Sequence, residues 1–222
     1  MFPRYFFCFR IRKTISVFGA SGKTGLCIVK QALANSCKVN ALCRNPDAIP
    51  FKNTSLRIIK GSLLDKILVH KTIEGSDAVI CVFGPMKPYT DIFCAEATEN
   101  IIIAMQDAGI LKLICQTGAL IGKTQVQRSL FMRFLMKTYN KKFPKSARDR
   151  DMQEELIMES SLDWTIVKPP RLSNGKRKRK YSTGENLKVS AFSSATREDT
   201  ADFILSLLES DNYLKKLPII KN

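Results

Sequence analysis

The chain holds a single histidine and a single tryptophan, and its seven cysteines (Cys8, Cys27, Cys37, Cys43, Cys81, Cys94 and Cys115) include no C-x-x-C pair. That poverty leaves no cluster of metal ligands, so no metal site is expected, and the thiols read as small hydrophobes of a reducing, cytoplasmic protein. No apolar run approaches the ~20 residues that cross a bilayer, so no membrane span is expected. Acid is scarce too: 20 Asp and Glu stand against 36 Lys and Arg, a net charge of +16. The excess is spread along the chain apart from one run, Lys176 to Lys180. No nucleic-acid-reading motif accompanies it, so the run reads as an exposed turn and no specific nucleic-acid partner is expected. A last absence concerns chemistry. None of the five tyrosines has a lysine four positions on. The one-faced Tyr-x-x-x-Lys pair of alcohol–ketone dehydrogenases, in which an ammonium lowers a phenol's pKa, is therefore missing.

What is present begins with Val17-Phe18-Gly19-Ala20-Ser21-Gly22-Lys23-Thr24-Gly25. An apolar run, Thr14 to Phe18, stops at three glycines spaced three apart, and helix-like sequence follows from Leu26 to Leu33. A helix start exposes unpaired N–H groups and the positive end of its dipole, and residues without side chains let a pyrophosphate approach them. The pattern is a G-x-x-G-x-x-G variant of the dinucleotide fingerprint. Gly22-Lys23-Thr24 mimics the end of a P-loop, but Val17 stands where that loop needs its first glycine.

Further strand candidates are Lys38 to Cys43, Leu56 to Lys60, Ala78 to Phe83, Leu111 to Gln116 and Trp164 to Lys168. Helices are expected to about Ile73, over Asp91 to Ala108, Ala147 to Ser160 and Thr196 to Glu209. A hairpin is expected after the basic run, and a last strand near Leu217 to Ile220. Strands alternating with helices behind a phosphate turn predict an α/β, Rossmann-type, doubly wound parallel sheet in a single domain. Residues 1–13 read as an N-terminal extension, and 14–222 as the NAD(P)-binding domain with a lid-like insertion near 123–150. Lys123 to Asn140, mixed basic and apolar, reads as the lid over a substrate pocket rather than a membrane-touching helix. After the second strand stands Arg44, where an acid would read the ribose of NAD; a guanidinium there favours NADP(H) over NAD(H).

These features resemble the atypical short-chain dehydrogenase/reductases with NmrA-like NAD(P)-binding domains, nearest to biliverdin reductase B and flavin reductase-type proteins. The resemblance spans Thr14 to Glu209. It is carried by the glycine turn, Cys43-Arg44, Gly61-Ser62-Leu63-Leu64-Asp65, Gln116-Thr117-Gly118, and the segments Ser161 to Leu172 and Thr196 to Phe203. It implies that Gly19, Ser21, Gly22, Lys23 and Thr24 cradle the pyrophosphate and that Arg44 holds the 2′-phosphate. Ser62, Leu63, Phe83, Gly84 and Thr117 would flank the adenine and nicotinamide. The chain departs from such relatives in having Ser62 for an aspartate, Gly118 for a serine and Arg171 for a histidine.

The function implied is an NAD(P)H-dependent oxidoreductase passing hydride from NADPH to a flavin, quinone or similar electron-poor small molecule. Such a transfer mainly needs two rings oriented and water excluded. Thr117, Tyr89 and Arg171 are pocket candidates, but no residue is assigned as a catalytic acid, and His70 reads as structural. The alternative is a non-catalytic NADP(H)-binding redox sensor or assembly factor. A monomer or weak homodimer is expected.

Overall fold

A computed structural model describes residues 13–86, 88–122 and 130–222. The proposed N-terminal extension, apart from Lys13, and the first part of the expected lid segment, 123–129, lie outside the described residues.

Six parallel strands form the central sheet: β1 (Thr14–Phe18), β2 (Lys38–Cys43), β3 (Leu56–Lys60), β4 (Ala78–Cys81), β5 (Lys112–Gln116) and β6 (Asp163–Val167). Their spatial order is β3-β2-β1-β4-β5-β6. Ile15, Val17 and Phe18 of β1 are fully buried, as suits a central strand covered on both faces. The helices α1 (Lys23–Ala34), α2 (Lys66–Ile73), α3 (Cys94–Asp107), α4 (Leu130–Lys142), α5 (Pro144–Glu159) and α6 (Arg197–Ser206) complete the architecture. One apolar cluster joins β1 and β2 to α1 and α6; the other joins β4 and β5 to α2, α3 and α5. The strand order switches direction between β1 and β4, so the chains leaving their carboxyl ends diverge and open the crevice in which such sheets take their ligands.

Beyond β6 the sequence expectation fails in one respect. Among the described residues no hairpin follows the basic run. Instead β7 (Arg171–Ser173) pairs in parallel with β9 (Ser194–Thr196), and β8 (Ser182–Gly184) pairs antiparallel with β10 (Ile219–Lys221). The cause lies in α6. Asp199 accepts the N–H groups of Lys178 and Arg179, both at 2.8 Å, and Asp202 receives the guanidinium groups of Arg177 and Arg179. The run is thus exposed, as a basic turn should be, but its backbone is folded onto a helix, with Arg179 at φ +53°. Asp199 itself is buried, which pushes its carboxyl pKa up. Hydrogen bonds from Arg179, Asn222, Thr196 and Lys178 outweigh that and hold it below the usual aspartate value.

Candidate functional site

The glycine turn follows β1 and opens α1. Gly22 donates to the Gly19 carbonyl at 3.0 Å, and Gly19 takes φ +88°. A Cβ on Gly25 would overlap the Gly19 carbonyl oxygen, and one on Gly19 would lie 2.8 Å from the Phe83 nitrogen. The helix therefore starts pressed against the sheet, close to the chain leaving β4. No side chain caps α1 at Gly22, and its first turn holds no acidic residue. An uncapped twelve-residue helix with Lys23 exposed at its first position fits a diphosphate. Ser21 is half-buried beside it, and Thr24 is buried.

Arg44 and Ser62 emerge exposed from the ends of the adjacent strands β2 and β3, which a hydrogen bond from Gly61 to the Cys43 carbonyl (3.0 Å) ties together. Ser62 Oγ accepts from the Leu64 N–H at 3.2 Å. Leu63 is half-buried against the second core cluster. On the other side of β1, Phe83 and Gly84 follow β4, and Thr117 follows β5. The topology therefore brings all eleven residues singled out by the sequence to the carboxyl edge of one sheet.

Behind this edge lies a polar layer supplied by α5. Thr117 Oγ1 donates to Glu154, whose two oxygens each accept from Lys168 Nζ at 2.8 Å. Lys168, following β6, also donates to the Ile121 carbonyl at 2.7 Å. Both charges are buried, at 0% and 1% exposure. One turn earlier, Arg150 Nη1 donates to the Phe83 carbonyl at 3.1 Å, and its guanidinium stands over Gly84, where a Cβ would come within 2.9 Å of it. Asp149 accepts the N–H groups of Phe93, Cys94 and Ala95 and so caps α3. Next to this layer opens a cavity of about 260 Å³ lined by Ile121, Gly122, Met136, Tyr139, Arg150 and Asp151, among others. Helix α4 lies along it. Tyr89, at φ +65°, does not line it but packs edge-on against Tyr139 at 5.6 Å.

Residues 19–211 match the NAD(P)H-binding family. The chain belongs to that family. The match bears out the NAD(P)-binding family that the resemblance implied. Among relatives of this NAD(P)H-binding protein, the uncharacterized protein YwnB of Bacillus subtilis is 26% identical over 200 residues, covering 88% of this chain and 90% of its own. A (4-alkanoyl-5-oxo-2,5-dihydrofuran-3-yl)methyl phosphate reductase of Streptomyces griseus is 22% identical, covering 70% of this chain and 46% of its own. The anaerobilin reductase ChuY of Escherichia coli O157:H7 shares the fold, with a TM-score of 0.76 at 22% identity, covering 93% of this chain and 96% of that one.

Within the NAD(P)H-binding fold, the α5 residues Asp149, Arg150 and Glu154 were not legible as functional from sequence. A signal was there. Ser146, Asp149, Arg150, Gln153, Glu154 and Ile157 are buried at helical spacing, so the inward face of α5 is polar where an apolar stripe is normal. The remaining candidates sort simply. Arg171 is exposed, and His70 is exposed on α2, 3.0 Å from Asp107. The six described cysteines are free thiols. Burial pushes Cys94 to about 11 and Cys115 to about 12, so neither is a ready nucleophile. Among the described residues no three His, Cys, Asp or Glu group as metal ligands, and no helix is long and apolar enough to cross a membrane.

Proposed function

We propose that the chain is an NADPH-dependent reductase that delivers hydride to a flavin, quinone or similarly electron-poor small molecule. The observation that carries this is the pairing of an uncapped, anion-ready helix start with a partly apolar cavity at the same sheet edge. Gly19, Ser21, Gly22, Lys23 and Thr24 would hold the diphosphate through backbone N–H groups and the Lys23 charge. Arg44, exposed at the end of β2, would hold the 2′-phosphate that distinguishes NADP(H), with Ser62 and Leu63 beside the adenine. Phe83, Gly84 and Thr117 would border the nicotinamide. When bound, the cofactor supplies the hydride. The protein's part is to orient the acceptor against it and keep water out, and α4 would serve as the lid.

Thr117 sharpens this reading. Its hydroxyl proton is committed to Glu154, and Glu154 is neutralised by Lys168. The hydroxyl therefore has a lone pair left to accept with but no proton left to donate. That suits an acceptor whose reduced form takes its proton from solvent. The same commitment also favours a second reading, a NADP(H)-binding sensor without turnover. NADPH oxidation against a panel of flavins, quinones and biliverdin, with NADH as control, tests both. Turnover with one acceptor supports the reductase. Tight NADPH binding without turnover on any acceptor supports the sensor, and failure to bind either nucleotide sinks both.

A further inference from the structure

Among the described residues, Arg150 is a buried cation without an anion beside it. It is 4% exposed, yet no ion pair reaches it among the described residues. The carboxylates around it are spent elsewhere. Asp149 is occupied by three N–H groups at the start of α3, Asp151 accepts the Gly122 N–H at 3.0 Å, and Glu154 is held by Lys168 and Thr117. What the guanidinium does touch is neutral: the Phe83 carbonyl at 3.1 Å and Cys94 Sγ at 3.8 Å, a thiol that burial keeps protonated. Among the described residues its Nε has no hydrogen-bond partner. A buried charge in this state costs several kcal/mol unless something balances it. The same side chain lines the cavity beneath α4.

We propose that Arg150 is the receptor for an oxyanion on the acceptor, a carboxylate or an ionised ring hydroxyl, so that the molecules reduced here carry a negative charge beside the electron-poor ring. The proposal rests on taking that cavity as the acceptor site. The cofactor's diphosphate is the less suited partner, because it has its own cradle at the start of α1, while Arg150 faces the cavity between α4 and α5. A guanidinium meets an oxyanion through charge-assisted, potentially bidentate hydrogen bonds, and such a bond to a desolvated group gives selectivity as well as affinity.

The test is direct binding, which needs no turnover. Lawsone, whose ring hydroxyl is ionised at neutral pH, and menadione, a neutral naphthoquinone of similar size, are titrated into the full chain saturated with NADP. The expected result is that lawsone binds at least roughly tenfold more tightly, a modest yield for a charged hydrogen bond. In Arg150→Met that preference falls to about one, while NADPH affinity is unchanged. Arg150→Lys keeps part of it, which a purely structural role would not predict. Equal binding of the two quinones, or a preference that survives Arg150→Met, overturns the oxyanion assignment and leaves the cavity as acceptor site. Loss of NADPH affinity in Arg150→Met with the quinone preference intact assigns the arginine to the cofactor and also overturns it. Failure of either quinone to bind overturns both the assignment and the cavity reading. Thermal unfolding of the variant supplies an independent readout: removing an unbalanced charge leaves the midpoint unchanged or raised, whereas a guanidinium needed only to brace Phe83 would lower it.

Discussion

Two regions meet at the carboxyl edge of the sheet, and they are built on opposite principles. At the glycine turn the chain makes room by omission: Gly19, Gly22 and Gly25 bring backbone against backbone, and α1 begins with its N–H groups unclaimed by any side-chain cap. Along α5 it makes structure by saturation, with Asp149, Arg150, Gln153 and Glu154 buried and most of their polar atoms engaged, Arg150 Nε and Gln153 Oε1 excepted. The first region can accept an anion without rearranging. The second holds charges that the fold itself must balance, and it succeeds for Glu154 but not for Arg150. An unfinished balance in a finished structure is what distinguishes a ligand contact from a brace.

The contrast breaks most violently at the saturated end. Glu154→Gln strands the Lys168 ammonium inside the protein and is expected to cost about 3–5 kcal/mol in denaturant unfolding. Combining Glu154→Leu with Lys168→Met removes both charges and should restore most of that stability; if it does not, the pair is held by more than mutual neutralisation. At the open end, Gly25→Ala drives a methyl into the Gly19 carbonyl. About 3 kcal/mol of destabilisation, with disappearance of NADPH binding by fluorescence titration, is the expected result. An intact nucleotide affinity there would show that the turn can be filled and is not the cradle.

Arg44→Glu sharpens the comparison without touching the fold. NADPH affinity should fall at least roughly tenfold in titration, the worth of one charge-assisted hydrogen bond. NADH affinity should hold or improve, since an acid suits the free ribose hydroxyl. A smaller effect belongs to Asp199. Its native pKa lies below its unfolded value, so its contribution is complete above about pH 4, the ordinary aspartate range, and declines as pH falls through the lower native value. Asp199→Asn should therefore flatten the acid limb of the stability curve measured by urea unfolding. The smallest effect is expected from reversing Lys176, Lys178 and Lys180 to Glu together. Asp199 is satisfied there by backbone N–H groups, which any side chain supplies, so NADPH affinity should be unchanged.

The same two principles explain what could be read from the sequence. Omission is legible. Three glycines after an apolar strand announce a tight turn, and the spans of β1, β2 and β3 coincide with the apolar runs that defined them. Buried strands are legible for the same reason, because continuous aliphatic sequence has nowhere else to go. Saturation is not. Asp149, Arg150 and Glu154 sit in a stretch that any hydropathy argument assigns to solvent, since charge is rarely buried unless paired, and the partners lie far along the chain or on its backbone. Glu154 needs Lys168 after β6, and Asp149 needs the start of α3. The missing hairpin has the same origin: β7 and β8 look adjacent until Asp199 and Asp202 fold the intervening run onto α6.

The cysteines offer one more use of the fold. Cys37, Cys43, Cys81, Cys94 and Cys115 are buried, all with their thiols pushed up by desolvation, and among the described cysteines only Cys27 is half-exposed. Cys81 and Cys115 lie opposite each other on the neighbouring strands β4 and β5, both buried toward the carboxyl ends of those strands. A thiol-specific label added to the native protein therefore becomes a clock. These two buried thiols modify only when the packing around the strands opens, so the time course of their labelling, resolved by peptide mass, would report how often the core opens and how far a bound nucleotide slows it.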